Sequence, residues 1–115
     1  MRRHIVCFNE ALLNEIDYNN FFGVKKALAM YNALERLSEK GDTVALSILI
    51  DLKTAIYKPK LLTPKQLEVV ELYFMHRMPI RQIASDLGVS FQAVSYRLVG
   101  AIKNIQRALL SGELF

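Results

Sequence analysis

The sequence predicts an all-α fold, a bundle of about five to six helices, and three observations predict it. Apolar residues recur at three- and four-residue intervals along most of the chain. The breaks between these stretches carry helix stop and start residues. No pair of alternating segments joined by a hairpin turn occurs. With 52% apolar and 23% charged residues, 5 Gly and 3 Pro in 115 positions, the composition is that of a folded globular chain. The length suits one domain, or two small helical pieces packed together.

Each element follows in order. Ile5, Phe8, Leu12 and Ile16 form a helical stripe, and Asp17-Tyr18-Asn19-Asn20 breaks it. A second helix is expected over about 21–39, with Val24, Ala27, Leu28, Tyr31 and Leu34 on one face. Gly41 stops it, and Asp42 or Thr43 caps the next. The third helix has the cleanest pattern: Ala45, Ile48, Leu49, Leu52, Ala55 and Ile56 on one side, Ser47, Asp51 and Thr54 on the other. Lys58-Pro59-Lys60 ends it, because proline disfavours helix at the residue before it. Thr63-Pro64-Lys65-Gln66 is a capping-box start, followed by a buried stripe of Leu67, Val70 and Phe74. Arg77-Met78-Pro79 restarts the chain as a short helix over Ile80 to Leu87, and a last helix is expected from Ser90 to about Leu110. Two segments result, a helical bracing or dimerisation segment over 1–58 and a second segment over 62–115.

The informative stretch runs from Ile80 to Leu98. Ala84 is small where two crossing helices must approach. Gly88, four residues on, permits the left-handed backbone of a sharp turn. Val89 plugs that turn, and Ser90 caps the following helix. Ile83, Leu87, Val94 and Leu98 then close one shared core. Short helix, alanine, glycine turn, cap, second helix is the grammar of a helix-turn-helix.

Charge agrees with that motif. Lys and Arg balance Asp and Glu at seven each over residues 1–57, whereas residues 58–115 hold eight against four. A basic half favours nucleic acid, because phosphates attract cations and release bound counterions. Other classes are disfavoured. Cys7, His4 and His76 are scattered without metal-ligand spacing, Asp51 and Asp86 lie on polar helix faces, and no phosphate-binding glycine loop or nucleophile elbow occurs. No cofactor, metal or catalytic residue is therefore expected. The run Val44 to Ile56 is too short and too charged to span a bilayer, and Ile5-Val6-Cys7-Phe8 is too short for a signal-peptide core. A single cysteine leaves no intrachain disulfide, which fits a reducing cytoplasm.

Residues 62–110, from Leu62-Thr63-Pro64-Lys65-Gln66 through Ile83-Ala84-Ser85-Asp86-Leu87-Gly88-Val89-Ser90 to Val94-Ser95-Tyr96-Arg97-Leu98, resemble region 4 of bacterial sigma factors. The motif is shared with the DNA-binding domains of LuxR-type response regulators. In sigma region 4 the final helix enters the major groove of the promoter's −35 element, and another face binds the flap of the RNA polymerase β subunit. Nothing in residues 1–61 resembles sigma region 2. The whole chain is more similar to the small region-4-only regulators of Gram-positive bacteria and their phages, ArpU-type late-gene activators among them. The resemblance implies a cytoplasmic transcription regulator in a bacterial cell or phage-infected host. Double-stranded DNA and RNA polymerase are the implied partners, and a homodimer is an open expectation.

By the same resemblance Phe91, Gln92, Ser95 and Tyr96 would face bases, Gln92 pairing with adenine and Phe91 touching a thymine methyl. The Ser90 amide would meet a phosphate at the helix N-terminus, and Arg97, Arg77, Arg81 and Lys103 would hold the DNA backbone. Many relatives carry Arg, Lys or Glu where this chain has Phe91, Gln92 and Ser95, and basic residues where it has Val99 and Gly100. Two alternatives stay open from the residues themselves. Phe91 and Tyr96 would serve equally as packing against the N-terminal helices or a partner, which suits a module that docks on RNA polymerase or another regulator; an RNA-binding adaptor on the same scaffold is a weaker third reading. Leu98, Ile102, Ile105 and Leu109 are spaced as core, and would form a dimer seam if the helix outran the domain.

Overall fold

The structure, a computed structural model, describes residues 16–111. Among these residues it is all-helical, with six α-helices and one π-helical turn. These are α1 (Phe21–Ala29), α2 (Tyr31–Glu39), α3 (Thr43–Ile56), α4 (Pro64–Val70) continued by a π-turn (Glu71–Met75), α5 (Ile80–Leu87) and α6 (Phe91–Ser111). The stripe expected at Ile5, Phe8 and Leu12 lies outside the described residues, as do Cys7 and His4.

The starts and stops are local hydrogen-bond devices. Asn20 accepts from the Phe22 amide at 2.8 Å and opens α1. Asp42 accepts from the Val44 and Ala45 amides, both at 3.0 Å, and opens α3. Between α2 and α3, Gly41 takes a left-handed φ of 95°. The Asp42 amide then reaches back to the Leu37 carbonyl (3.0 Å) and the Gly41 amide to Ser38 (3.1 Å), the paired bonds of a Schellman stop. The Thr63–Gln66 box closes reciprocally, with 3.1 Å in each direction.

One expectation is corrected. The helix foreseen over 21–39 is two helices, parted at Met30, where ψ turns to 7°. Val24, Ala27, Leu28, Tyr31 and Leu34 are all buried as expected, but α1 packs on α6 while α2 packs on α3. A straight helix cannot serve both partners, so the chain bends, without a glycine or proline to announce it.

The long α6 is the spine. Its 21 residues extend about 30 Å, and α1, α3, α4 and α5 all pack along it. Val94, Leu98, Ala101, Ile102, Ile105 and Ala108 turn inward to meet Leu28, Leu52, Ile56, Val70, Phe74 and Ile83 in one core. The stripe weighed as a dimer seam is thus engaged within the chain, Leu109 being partly buried against the same core. Outside it, the π-turn is held from two sides. The Asn32 amide donates to the Met75 carbonyl at 3.1 Å, and the Tyr57 hydroxyl donates to Glu71 Oε2 at 2.8 Å. Burial and the neighbouring Glu71 carboxylate push the Tyr57 phenol well above its ordinary pKa. No helix among the described residues is long and apolar enough to cross a membrane.

Candidate nucleic-acid interface

The α5–α6 connection is a three-residue turn, Gly88-Val89-Ser90, built around Gly88, whose φ is 69°. The Val89 amide bonds the Ala84 carbonyl at 3.0 Å and the Gly88 amide bonds Ser85 at 3.3 Å, a second Schellman stop. Ser90 Oγ accepts from the Ala93 amide at 3.0 Å and opens α6. Ala84 and Ile83 are buried on α5, Val94 and Leu98 on α6, and Val89 and Leu87 pack against them. The angle between the two helices is set by these contacts, so the first turns of α6 project from the body in one orientation.

The expected site residues fall in four places. Gln92 and Tyr96 stand one turn apart on the outer face of α6, continued by Val99 and Lys103, with Tyr96 82% exposed. Phe91, 47% exposed, and the half-buried Ser95 lie on the flank turned toward α1. There Ser95 lines a cleft of about 130 Å³ with Phe21, Lys25, Ile80 and Val99. Arg97 lies on the other flank, half-buried, and lines an open cleft of about 470 Å³ with Lys65, Gln66, Tyr96 and Lys103. Arg81 is exposed in the first turn of α5, and Arg77 is exposed in the loop before it.

Arg77 is unusual in its backbone. Its φ is 60°, the left-handed region that favours glycine. It follows the π-turn, where the His76 amide bonds Glu71 and the Met78 amide bonds Leu72, both at 3.0 Å. Two cations that the sequence reading leaves out stand beside the predicted ones, Lys65 near Arg97 and Lys25 near Arg77. The capping box signals where Lys65 sits on α4, but no local signal shows that α4 crosses α6. Lys25 is 52 positions from Arg77, and the fold brings α1 beside the loop before α5.

The crossing also accounts for Gly100. A Cβ there would lie 2.9 Å from Gln66 Nε2, so the position faces the α4 cap, and a basic side chain would displace it. Gln66 Oε1 also accepts from Asn104 Nδ2 at 3.3 Å, tying the capping box to α6.

Among the described residues no three His, Cys, Asp or Glu side chains gather as a metal site. Asp51, expected on a polar face, accepts a 3.4 Å hydrogen bond from the Tyr18 hydroxyl. Asp86 accepts from Gln82 Nε2 at 2.8 Å. No curated protein and no solved structure matches the chain. Residues 60–107 match the family model described as Sigma-70, region 4, so the C-terminal part of this chain carries a helix-turn-helix of the sigma region 4 type.

Proposed function

We propose that the chain is a transcription regulator that reads a specific promoter or operator site with the N-terminal half of α6. The observation that carries this reading is the exposed, preorganised start of α6. Gln92 and Tyr96 are free of the core while Val94 and Leu98 hold the helix to it. Gln92 offers an amide of the right geometry for adenine, and its loss costs about 1–3 kcal/mol at one base position. Arg77, Arg81, Arg97 and Lys103 contribute backbone contacts, which position without specifying. Helices α1–α3 act as the brace that keeps α6 in place.

DNA selection from a random pool at two salt concentrations tests this. One enriched motif is expected, weakened at the higher salt and lost in the Gln92→Ala, Tyr96→Ala double variant with its fold intact. A palindromic motif would mark a homodimer. Enrichment of no motif at either salt would sink the reading.

A second reading has its own observation. Phe91, Tyr96 and Val99 are 47%, 82% and 41% exposed on α6, an apolar surface richer than phosphate contact needs. It suits docking on RNA polymerase or another regulator. Co-purification with polymerase, abolished by Tyr96→Asp, is the expected result; recovery unchanged by that substitution counts against it.

A further inference from the structure

Two adjoining clefts run from the flank of α6 to the loop before α5. The first is the cleft already placed beside Ser95, which includes Val99 and Tyr73. The second, about 280 Å³, is lined by Lys25, Tyr73, Arg77 and Pro79. Lys25 and Tyr73 belong to both, so Lys25 stands between the edge of the reading helix and Arg77. Among the described residues no Asp or Glu lines either cleft. Neither Lys25 nor Arg77 has a salt bridge or side-chain hydrogen bond among the described residues. Arg77 holds its place in a left-handed conformation that disfavours a side chain by about 1–2 kcal/mol, and such strain persists where a function repays it.

From this geometry we infer that Lys25 and Arg77 form a phosphate clamp. It grips one strand of the DNA backbone at the edge of the groove that α6 enters, and it rests on the proposed reading of α6. The clamp joins the N-terminal helices to the interface. Two cations that have no partner among the described residues, in a concave wall where those residues place no carboxylate, attract a phosphodiester, and Tyr73 lines the same cleft. Lys25 supplies a mobile point charge and Arg77 a planar fork. α1 is thereby a part of the binding surface as well as a brace.

The test measures affinity of the full chain for its selected DNA across a salt series, with Lys25→Gln, Arg77→Gln, the double variant and Lys25→Arg. Lys40→Gln, at the exposed end of α2, is the control. Each lost phosphate contact lowers the slope of log affinity against log salt by about 0.9. Each single variant's deficit should therefore shrink by about 3.5-fold between 50 and 200 mM salt. The selected motif should stay the same, and Lys25→Arg should restore the slope. A Lys25→Gln slope equal to that of the parent or of Lys40→Gln, in protein of unchanged melting temperature, overturns the clamp while leaving the reading of α6 intact. A parent chain with no salt-sensitive DNA binding overturns both.

Discussion

Replacing Arg77 by glycine separates the energetics of the backbone from those of the charge. Arg77 has a φ of 60° and an exposed side chain. The left-handed region costs an L-residue about 1–2 kcal/mol that glycine does not incur. Against this, glycine adds unfolded-state entropy worth about 0.4–1 kcal/mol. The net expectation is that Arg77→Gly is more stable by about 0.5–1 kcal/mol, or a melting temperature about 2–5 °C higher. Arg77→Ala keeps the conformational cost and gains nothing. Thermal and urea unfolding of the two variants beside the parent reads this directly, and DNA affinity gives the second axis. Both variants should bind equally weakly while differing in stability. An Arg77→Gly chain no more stable than Arg77→Ala would refute the strain argument, and unequal affinities would show that the backbone itself, not the guanidinium, matters for binding.

Further substitutions probe other parts of the frame. Gly23→Ala drives a Cβ into the Asp17 carbonyl oxygen; overpacking of about 1–3 kcal/mol outweighs a helix-propensity gain of about 1 kcal/mol, so melting should fall, and a rise would show that the 17–20 turn yields freely. Gly88→Ala meets no neighbour within 4 Å, so its whole cost is the left-handed φ, about 1–2 kcal/mol, and Gly88→Asn should lose less in the same unfolding assay. Burial raises the Asp51 carboxyl above its ordinary pKa, partly opposed by the Tyr18 hydrogen bond. The folded chain therefore keeps that proton longer than the unfolded one, and stability drops as pH rises through the Asp51 titration. Asp51→Asn should remove that decline; a variant that loses ground to the parent as pH rises would contradict it.

The helix-turn-helix was legible because its determinants are local. The Gly88 turn, the Ser90 cap and the Thr63–Gln66 box each join groups at most five residues apart, and such bonds leave their mark in adjacent letters. The faces of α1–α3 were legible through periodicity. Three features were not. The bend at Met30 exists because α1 and α2 have different partners, and no residue type records a partner. The π-turn carries no residue signal of its own, and on α4 Val69 is buried while Leu67 of the expected stripe is only half-buried. The site expectations named the exposed residues of α6 but missed Lys25 and Lys65, whose places depend on packing between distant segments.

That packing bears on whether residues 62–115, the second of the two segments read from the sequence, form a unit on their own. α1 and α3 both lie along α6. The Gln106 side chain donates to the Tyr18 carbonyl at 2.9 Å, fastening the last turns of the spine to the N-terminal part. Deleting residues 1–58 would uncover parts of Ile102, Ile105 and Ala108, all of which are buried. Uncovering two large side chains and one small one costs roughly 5 kcal/mol, comparable to the whole stability of a small domain. The fragment 59–115 is therefore expected to keep helix in far-UV circular dichroism but to melt without a cooperative transition. Its DNA affinity should fall more than the loss of Lys25 alone explains, because α6 would no longer be held at one angle. A fragment that melts sharply and binds like the Lys25→Gln full chain would mean that α4, α5 and α6 close a sufficient core by themselves, and that the N-terminal helices contribute charge without bracing.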